Sequence, residues 1–444
     1  MTSNFHIVKL GDYCNVDSGY AFKSERFSQN PQDINLVKGS NLGHRTIDWD
    51  EGPKWPKEEF EKLKLFELKA NDVVLAMDRP VVGGNLKFAW LTEYDPKALL
   101  VQRVARLRAK EGLDQIYLRY VISDPAFRMY VDTITTGANI PHISGPDIRD
   151  YKFPLLPIST QQKIATILSA YDDLIENNLK RIKLLEEMAQ ITYEEWFVRL
   201  KFPGHETTPM DSDSGLPTGW EFKKLDDIFE FSNGYAFYTK GYSEKGYVVV
   251  DLGNISKTSD LIFSGNEKKI SRALYQQSSK FHLKKYDVVI AMTDITKELG
   301  ILAKSAIIDA DDKYVLNQRV GRIRPKHDFF DYSFIYSVLN DRRFISSMHS
   351  KSKGAVQFYF NTSDIVDYMV VLPGPITIKQ FQKLYKPFLE ARAILKQKNI
   401  LLAEARDILL PRLMTGMIDV EQLVLPEAFS DMPSTSPEQE PQTA

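Results

Sequence analysis

The sequence predicts an α+β fold in which two similar mixed α/β domains are joined by two long helices, and these helices form an antiparallel coiled coil with a pseudo-twofold relation. Three observations lead to this prediction: an internal repeat, a heptad pattern after each copy of the repeat, and a polar linker between the copies. The chain has 444 residues, 43% of them hydrophobic, which suffices for more than one core. Two copies are too few for a solenoid, whose period would be far shorter.

The internal repeat has a spacing of about 215 residues. The motif Gly-Tyr-Ala-Phe occurs at 19–22 and 234–237, residues 68–77 recur as 283–292, and residues 102–108 recur as 318–324. In the first copy, β-rich runs predict strands at 72–77 and 99–107, followed by a helix at 115–130. The counterparts in the second copy are strands at 287–292 and 314–323 and a helix near 332–348. We therefore predict one domain at 1–157 and its equivalent at 220–375.

After each domain, core residues recur at alternating spacings of four and three, which is typical of a coiled coil. The predicted helical segments are 158–202 and 376–419. The predicted seam positions are Ile164, Leu168, Ile175, Asn178, Ile182 and Leu185 in the first helix, and Leu384, Phe388, Leu395, Lys398, Leu402 and Leu409 in the second. Each seam contains one polar residue, Asn178 or Lys398, which we interpret as fixing the register. The alternative is that both helices pack on their own domains.

The first helix ends in an aromatic cluster that includes Trp196 and Phe197, which we interpret as an exposed surface for docking a partner. A linker rich in Gly, Pro, Ser and Thr follows at 203–219 and leads into the second domain. If the helices pair antiparallel, roughly 35 residues would separate the domains by about 50 Å. The helices would then act as a ruler. The acidic segment 420–444 is predicted to be disordered.

Composition excludes several classes of protein. A single cysteine, Cys14, excludes an intramolecular disulfide and a Cys-rich metal site, and the seven histidines lack ligand spacing, so no metal site is predicted. The N-terminal sequence contains no apolar run of the kind found in a signal peptide or a membrane span, so the expected compartment is the cytoplasm. The formal charge is −2, and four acidic residues lie between residues 425 and 444. The rest is near neutral, and any attraction to nucleic acid must come from local patches.

The common catalytic motifs for phosphate binding, dinucleotide binding, zinc hydrolysis and serine hydrolysis are absent from the sequence. Asp124-Pro125-Ala126-Phe127 approximates the loop with which amino-methyltransferases hold a flipped adenine, but it lacks the second proline and a cofactor-binding glycine motif. We interpret it as a loop or a helix break. Pro146-Asp147 with Asp150-Tyr151-Lys152 approximates a nuclease signature, which we interpret as a turn leading into a strand, because its carboxylates are too close in sequence to come from different strands.

Recognition remains the best-supported role. Arginine suits guanine edges and phosphates, and arginines recur in both copies on or beside a predicted strand. The strand candidates are Arg103, Arg106, Arg108, Arg319, Arg322 and Arg324. Two equivalent loops keep a glycine but differ in their polar residues, and both are candidates for DNA contact. The candidates are Thr136, Gly137, Asn139 and His142 in the first loop and Lys351, Lys353, Gly354 and Gln357 in the second. Further basic candidates are Lys23, Arg79 and Lys240. The alternatives are arginines that pair with local carboxylates, and ordinary loop divergence.

These motifs, in this order and twice over, resemble the specificity subunits of type I restriction-modification systems. The likeness covers nearly all of the chain except the acidic tail. It includes Ser-Gly-Tyr-Ala-Phe at 18–22, Asp-Val-Val at 72–74, Thr-Gly at 136–137 and Pro-Ile-Ser-Thr-Gln-Gln-Lys-Ile at 157–164. It continues with Asp-Asp-Leu-Ile-Glu-Asn-Asn at 172–178, Trp-Phe at 196–197 and Leu-Pro-Arg-Leu-Met-Thr-Gly-Met-Ile at 410–418.

The resemblance implies two target recognition domains, each reading one half of an asymmetric bipartite site in double-stranded DNA. It implies that the paired helices set the gap between the halves and dock two methyltransferase (M) subunits, which restriction/translocase (R) subunits then join. It further implies that this chain is not catalytic and holds no cofactor, since S-adenosylmethionine, ATP and Mg²⁺ would belong to the partner subunits. Residues 375–380 follow 157–162 only loosely. The contacts to the two methyltransferases are therefore expected to be less than symmetric.

Two other classes of function stay open at the level of sequence. The first is a coiled-coil adaptor that binds proteins rather than DNA, which salt-dependent binding to duplex DNA by the assembled complex would distinguish. The second is a self-sufficient methyltransferase or nuclease, for which the isolated chain would have to bind S-adenosylmethionine.

Overall fold

A computed structural model describes residues 6–135 and 141–423 of the chain. Within these ranges the protein forms two compact units. Unit 1 comprises the described residues up to 177 and from 398 onward, and unit 2 comprises residues 178–397. The boundaries fall inside both long helices, so each unit contains one copy of the sequence repeat together with half of each helix.

Unit 1 combines a mixed sheet with an antiparallel sheet. Its strands are β1 (His6–Lys9), β2 (Cys14–Ser18), β3 (Ile34–Val37), β4 (Lys54–Trp55), β5 (Glu67–Leu68), β6 (Val73–Ala76), β7 (Val81–Val82), β8 (Asn85–Leu86), β9 (Phe88–Trp90), β10 (Ala98–Leu100), β11 (Val104–Ala109) and β12 (Lys152–Leu155). Its helices are α1 (Leu10–Tyr13), α2 (Gln115–Ser123), α3 (Pro125–Ile134), α4 (Gly145–Asp150) and the first half of α5 (Ile158–Tyr193). The mixed sheet has the order β4-β3-β10-β5 and the antiparallel sheet the order β2-β11-β6-β9.

Unit 2 repeats this architecture. Its strands are β13 (Glu221–Lys224), β14 (Phe229–Asn233), β15 (Tyr242–Ser243), β16 (Tyr247–Val250), β17 (Lys269–Ile270), β18 (His282–Leu283), β19 (Val288–Ala291), β20 (Thr293–Asp294), β21 (Ser305–Ile307), β22 (Tyr314–Leu316), β23 (Val320–Pro325), β24 (Phe358–Tyr359) and β25 (Met369–Leu372). Its helices are α6 (Leu225–Ile228), α7 (Arg272–Gln277), α8 (Tyr332–Leu339), α9 (Arg342–Ser350), α10 (Thr362–Val366) and most of α11 (Pro375–Met414). The order β14-β23-β19-β21 matches the antiparallel sheet of unit 1, so the predicted pair of similar α/β domains is confirmed.

The central strands explain why the apolar runs of the repeat are so regular. All four residues of β6, and all four of β19, are buried because each strand lies between two neighbours and is covered on both faces. The predicted strands 99–107 and 314–323 are wrong as single strands. Each is interrupted by a turn at its Gln-Arg pair, and the φ angle of +68° at Arg103 in the first copy is incompatible with a continuous strand.

The predicted helix at 115–130 is likewise two helices, α2 and α3. Asp124 ends the first, and its carboxylate accepts a hydrogen bond from the main-chain N–H of Ala126 at 2.7 Å, while Pro125 occupies the first position of the second. The interpretation of this motif as a helix break is confirmed. The segment predicted as a turn at Pro146 is instead the short helix α4, capped by Ser144, and β12 follows it.

The long helices α5 and α11 pair antiparallel in each unit, as predicted. In unit 1, Asp172 of α5 pairs with Arg406 of α11, and the carbonyl of Ile175 accepts from the Asn399 amide at 3.4 Å. In unit 2, Glu186 pairs with Arg392 at 2.5 Å, and the rings of Tyr193 and Phe381 lie 6.2 Å apart. In both units, residues of increasing number along α5 contact residues of decreasing number along α11, as antiparallel pairing requires.

Two buried glutamines reveal the true register between the helix repeats. Gln161 of α5 accepts from the main-chain N–H of Asp114 at 2.8 Å, and Gln382 of α11 accepts from that of Asp331, also at 2.8 Å. Asp114 and Asp331 cap the equivalent helices α2 and α8, so Gln382 corresponds to Gln161. By this correspondence the counterpart of Asn178 is Asn399 rather than Lys398.

The predicted seam of α5 coincides with buried or half-buried residues, but that of α11 is displaced by one residue over much of its length. Leu384 is 43% exposed and Lys398 is exposed, so both seam predictions are wrong. Phe388, Leu402 and Leu409 are half-buried, and Leu395 is buried. The buried stripe instead includes Tyr385, Leu389, Arg392, Arg406 and Leu410.

The aromatic cluster at the end of α5 belongs to the core of unit 2. Trp196 and Phe197 lie on a π turn (Glu194–Val198) and are 7% and 4% exposed. The Phe197 ring lies 4.7 Å from that of Phe381, 5.7 Å from that of Phe334 and 6.0 Å from that of Trp220. The prediction that Trp196 and Phe197 dock a partner is therefore wrong, since neither ring is accessible.

Replacing Gln161 by alanine should destabilise unit 1 by about 2–3 kcal/mol, because its fully buried amide also donates to the carbonyls of Gly112 and Leu156 and all three main-chain groups would lose their partner. The matched control is Gln162→Ala, an exposed neighbour expected to change the free energy of unfolding by less than about 0.5 kcal/mol. Chemical denaturation measures both, and equal effects would contradict this role for Gln161.

Candidate nucleic-acid interface

Of the six arginines that the sequence singles out, four lie on strands and serve the fold. Arg106 on β11 and Arg322 on β23 are 7% and 6% exposed. Each guanidinium donates to two main-chain carbonyls and one side-chain oxygen. The acceptors are Leu65, Glu67 and Asp17 for Arg106, at 3.0 to 3.2 Å, and Lys280, His282 and Ser232 for Arg322, at 3.0 to 3.4 Å. The prediction that these two arginines contact DNA is wrong because their donors are turned into the protein.

Arg108 and Arg324 each make a two-point ion pair with a buried aspartate. Arg108 donates to both carboxylate oxygens of Asp72 at 2.5 and 2.8 Å, and Arg324 donates to those of Asp287 at 2.5 and 2.6 Å. Hydrogen bonding to Asp287 raises the pKa of Arg324 above its ordinary value. Because the aspartates are only 3% and 5% exposed, these guanidiniums neutralise buried charge. Both arginine side chains keep a partly exposed surface, and their contact with DNA stays a prediction.

The remaining two, Arg103 and Arg319, lie at the turns between β10 and β11 and between β22 and β23. Both are exposed. Their main-chain carbonyls accept from Met77 and Met292, at 2.8 and 3.1 Å, at the ends of β6 and β19. Each turn is thus held beside the end of a central strand, with its arginine directed to the surface.

In unit 2 this turn forms one wall of a cleft of about 350 Å³. The lining residues come from the ends of β14 and β19, from the β22–β23 turn and from the β20–β24 pair. They are Asn233, Met292, Thr293, Gln318, Arg319, Gln357, Tyr359 and Phe360. The cleft therefore presents amide, hydroxyl, guanidinium and aromatic groups, which are the groups that read base edges and phosphates.

The loop that carries Gln357 is closed by main-chain hydrogen bonds in both directions between Lys353 and Tyr359, at 2.8 and 3.0 Å. Gly354 has a φ angle of +108°, and a Cβ there would lie 2.0 Å from the carbonyl oxygen of Gln357. The repeated glycine is thus a requirement of the turn. Lys351, Lys353 and Gly354 are exposed, and Gln357 is half-buried in the cleft wall.

The same backbone scaffold occurs in unit 1. Ile143 donates from its main-chain N–H to the carbonyl of Met77 at 2.9 Å, as Phe360 does to Met292 at 3.4 Å, and His142 bridges to Asp78 as Tyr359 pairs with Thr293. Corresponding positions therefore surround the exposed turns of Arg103 and Arg319.

The chemistry of the two surfaces differs. In unit 1 the Asp78 carboxylate lies 2.8 Å from Nδ1 of His142 and 3.5 Å from the guanidinium of Arg103. In unit 2 the corresponding strand end carries the neutral hydroxyl of Thr293 next to Tyr359. One scaffold thus surrounds Arg103 with an aspartate and a histidine in unit 1, and places a threonine and a tyrosine beside Arg319 in unit 2.

The other candidates have varied positions. Lys23, Arg79 and Lys240 are exposed, and the main-chain N–H of Arg79 donates to Pro141 at 2.7 Å, beside the surface of unit 1. Thr136, Gly137 and Asn139 lie outside the described residues. The predicted site residues did not include six residues of the cleft lining or the unit 1 residue Asp78. The six are Asn233, Met292, Thr293, Gln318, Tyr359 and Phe360. The repeated Gln-Arg pair is the signal that could have directed attention to Gln318.

In residues 6–135 and 141–423, the acidic, histidine and cysteine side chains form no group of three or more that could hold a metal ion. Over the same part of the chain, the helices lack the combination of length and apolarity needed to cross a membrane.

A family model described as the type I restriction modification DNA specificity domain matches residues 2–187 and again 217–402. The chain belongs to this family. The specificity subunit of the type I restriction enzyme MjaIX from Methanocaldococcus jannaschii is 28% identical over 326 residues, 71% of each chain. That of EcoBI from Escherichia coli is 21% identical over 423 residues, 90% of this chain and 83% of that subunit.

Fold similarity extends over the same range. The crystal structure of a type I restriction-modification S subunit from M. genitalium covers 93% of this chain and 97% of that one, with 13% identity and a TM-score of 0.57. The prediction of a type I specificity subunit is confirmed by the family match. The chain is accordingly the specificity component of such a system and not its catalytic component.

The structural and exposed arginines should respond differently to truncation. Arg324→Ala leaves Asp287 buried without its counter-ion and is expected to lower the free energy of unfolding by roughly 3 kcal/mol or more. Arg319→Ala, five residues earlier, should change it by less than about 0.5 kcal/mol. Denaturant titration of both variants measures this contrast, and similar losses would argue against the distinction.

Proposed function

We propose that this chain reads a bipartite site in double-stranded DNA, with the surface around Arg103 in unit 1 reading one half and the cleft around Arg319 in unit 2 reading the other. The observation that carries this proposal is the pair of equivalent surfaces with different side chains. A shared backbone scaffold supports a common docking mode on the duplex, and different polar groups give each unit its own base preference.

The charge of these surfaces is compatible with such a role. The chain as a whole has a formal charge of −2, so steering toward DNA must be local. Arg79 and Arg103 in unit 1, and Arg319, Lys351 and Lys353 in unit 2, are exposed basic residues on or beside the two surfaces. Arg79, Lys351 and Lys353 supply the phosphate contacts that base reading requires for register, and Arg103 and Arg319 contact bases.

We further propose that the helix pair recruits the other subunits of the complex. Leu184, Met188 and Ile191 of α5 are 57%, 49% and 58% exposed and recur at spacings of four and three, which forms an apolar stripe along one side of the helix. Such a stripe on the helix pair supports the docking of methyltransferase (M) subunits, which restriction/translocase (R) subunits would join. S-adenosylmethionine, ATP and Mg²⁺ would then be bound by those partner subunits, and the complex would work in the cytoplasm.

Methylome sequencing of cells that carry this gene with its methyltransferase tests the proposal. We expect an adenine-methylated bipartite motif that disappears when only this chain is deleted. Unchanged methylation after the deletion, with an active methyltransferase, would contradict DNA recognition by this chain and favour an adaptor role.

Arg103→Ala and Arg319→Ala should each weaken DNA binding by the assembled complex. Loss of one base-contacting arginine is expected to cost about 1–3 kcal/mol and to relax base preference in one half of the motif only. Arg272→Ala, at an exposed arginine at the start of α7, is the matched control and should leave affinity and motif unchanged. Equal relaxation of both halves by one variant would contradict the assignment of one half to each unit.

Deleting one heptad from each long helix should shorten the gap of the recognised motif and leave the half-sites intact, because seven residues of helix rise about 10 Å, or roughly three base pairs. Residues 179–185 and 393–399 lie within the continuous helices α5 and α11. The methylated motif reports the gap directly. A motif with an unchanged gap would contradict the ruler hypothesis.

A further inference from the structure

Each unit has a short hairpin, here termed the docking hairpin, that contacts the long helices. It spans 42–47 in unit 1 and 255–261 in unit 2, and a bridge joins its ends in both. The base is held by a buried asparagine, Asn41 or Asn254, whose amide donates to main-chain carbonyls at 3.1 Å. The tip contains one left-handed non-glycine residue, Arg45 with φ +59° or Ser259 with φ +60°. The two hairpins are therefore equivalent parts of the repeat.

In unit 1 the docking hairpin presents a cation to the helices. The side chain of Arg45 is 9% exposed, and its guanidinium donates to Asp407 of α11 at 2.9 Å. Asp407 also accepts from Arg406 at 3.0 Å, and Arg406 pairs with Asp172 of α5. Burial favours the neutral carboxyl, but the charges of Arg45 and Arg406 prevail and hold the pKa of Asp407 below its ordinary value.

In unit 2 the polarity is reversed, and the docking hairpin presents an anion. The side chain of Asp260 is 16% exposed and pairs with two cations of α11, Arg392 at 2.7 Å and Lys396 at 2.5 Å. Arg392 also donates to the carbonyl of Thr258 at 2.9 Å and pairs with Glu186 of α5 at 2.5 Å.

We propose that these oppositely charged docking hairpins are positioning contacts that hold each recognition domain in a fixed orientation on its own halves of the two helices. Both contacts are at least partly buried, so removing or reversing one charge leaves its partner poorly compensated. The ion pair therefore resists reorientation of the domain on the helices.

In each unit the buried glutamine holds the domain near the start of one long helix, and the docking hairpin adds a second contact, to α11. The consequence for DNA recognition rests on the proposed function, because the position of each domain decides how its half-site reader is held.

Hydrogen–deuterium exchange on the full chain, assembled with its co-expressed methyltransferase, tests the contact without reference to DNA. Asp407→Lys should speed exchange at the main-chain N–H groups of Gly43 and Arg45, which are bonded in the hairpin and to Phe88, by about tenfold. The reversed pair Arg45→Glu with Asp407→Lys should return these rates to within about threefold of the parent protein. Glu404→Lys, an exposed carboxylate of the same helix, is the control with no expected change.

A double variant that exchanges as fast as Asp407→Lys alone, or a control with the same effect, would overturn the proposal. Should Asp407→Lys fail to fold, Arg45→Met removes the charge while keeping the aliphatic stem. For Arg45→Met we expect faster exchange confined to residues 42–47. Unchanged exchange in this variant would also overturn the proposal.

A second readout separates positioning from general destabilisation. In methylome sequencing, Asp407→Lys should relax base preference in one half of the motif, and Asp260→Lys in the other. Uniform loss at both halves from either variant would overturn separate positioning. If the parent protein yielded no bipartite motif at all, the proposed function would fail while the exchange measurements still decided the contact.

Discussion

Both halves of this protein depend on an arginine–aspartate pair at the start of a central strand. The carboxylate of Asp72 accepts from the main-chain N–H of Lys69 at 2.8 Å and from Arg108 on the neighbouring strand, and Asp287 does the same with Lys284 at 2.7 Å and Arg324. One buried charge thereby ties a tight turn, a central strand and its neighbour together. Removing either partner would leave the other charged and desolvated, so the pair holds the register of the antiparallel sheet.

That register determines where the candidate interface lies. The paired strands end at the Gln-Arg turns, and the turn carbonyls of Arg103 and Arg319 are bonded to the ends of the central strands. The arginines paired with buried aspartates and the exposed arginines of the turns therefore belong to the same two strand regions but have different roles. Arg108 and Arg324 neutralise buried carboxylates, whereas Arg103 and Arg319 are exposed at the surface proposed to contact DNA.

The long helices carry the contacts that hold each domain in place. Their buried glutamines join them to the caps of α2 and α8, and the docking hairpins add an ion pair of opposite polarity in each unit. The two domains therefore share the glutamine contact and differ in the charge of the hairpin contact. Divergent charge on a shared scaffold leaves the core unaltered, in the same way that divergent polar groups on a shared surface would allow two half-sites to be distinguished.

The sequence by itself determined the duplication, the α/β character of each half, the two long helices and the family, because these depend on periodicity and on motifs repeated in order. It also named Arg103 and Arg319 as candidates, although it placed them on or beside continuous strands rather than at turns. Only the tertiary structure decided that Arg106 and Arg322 are buried and that Arg108 and Arg324 pair with buried aspartates, since the carbonyls and aspartates that bind them are distant in sequence. It also decided that Trp196 and Phe197 are core residues and that the α11 seam is shifted by one residue. Apolar side chains flank the seam on both sides, and only the contacts of Gln382 and Asn399 identify the buried face.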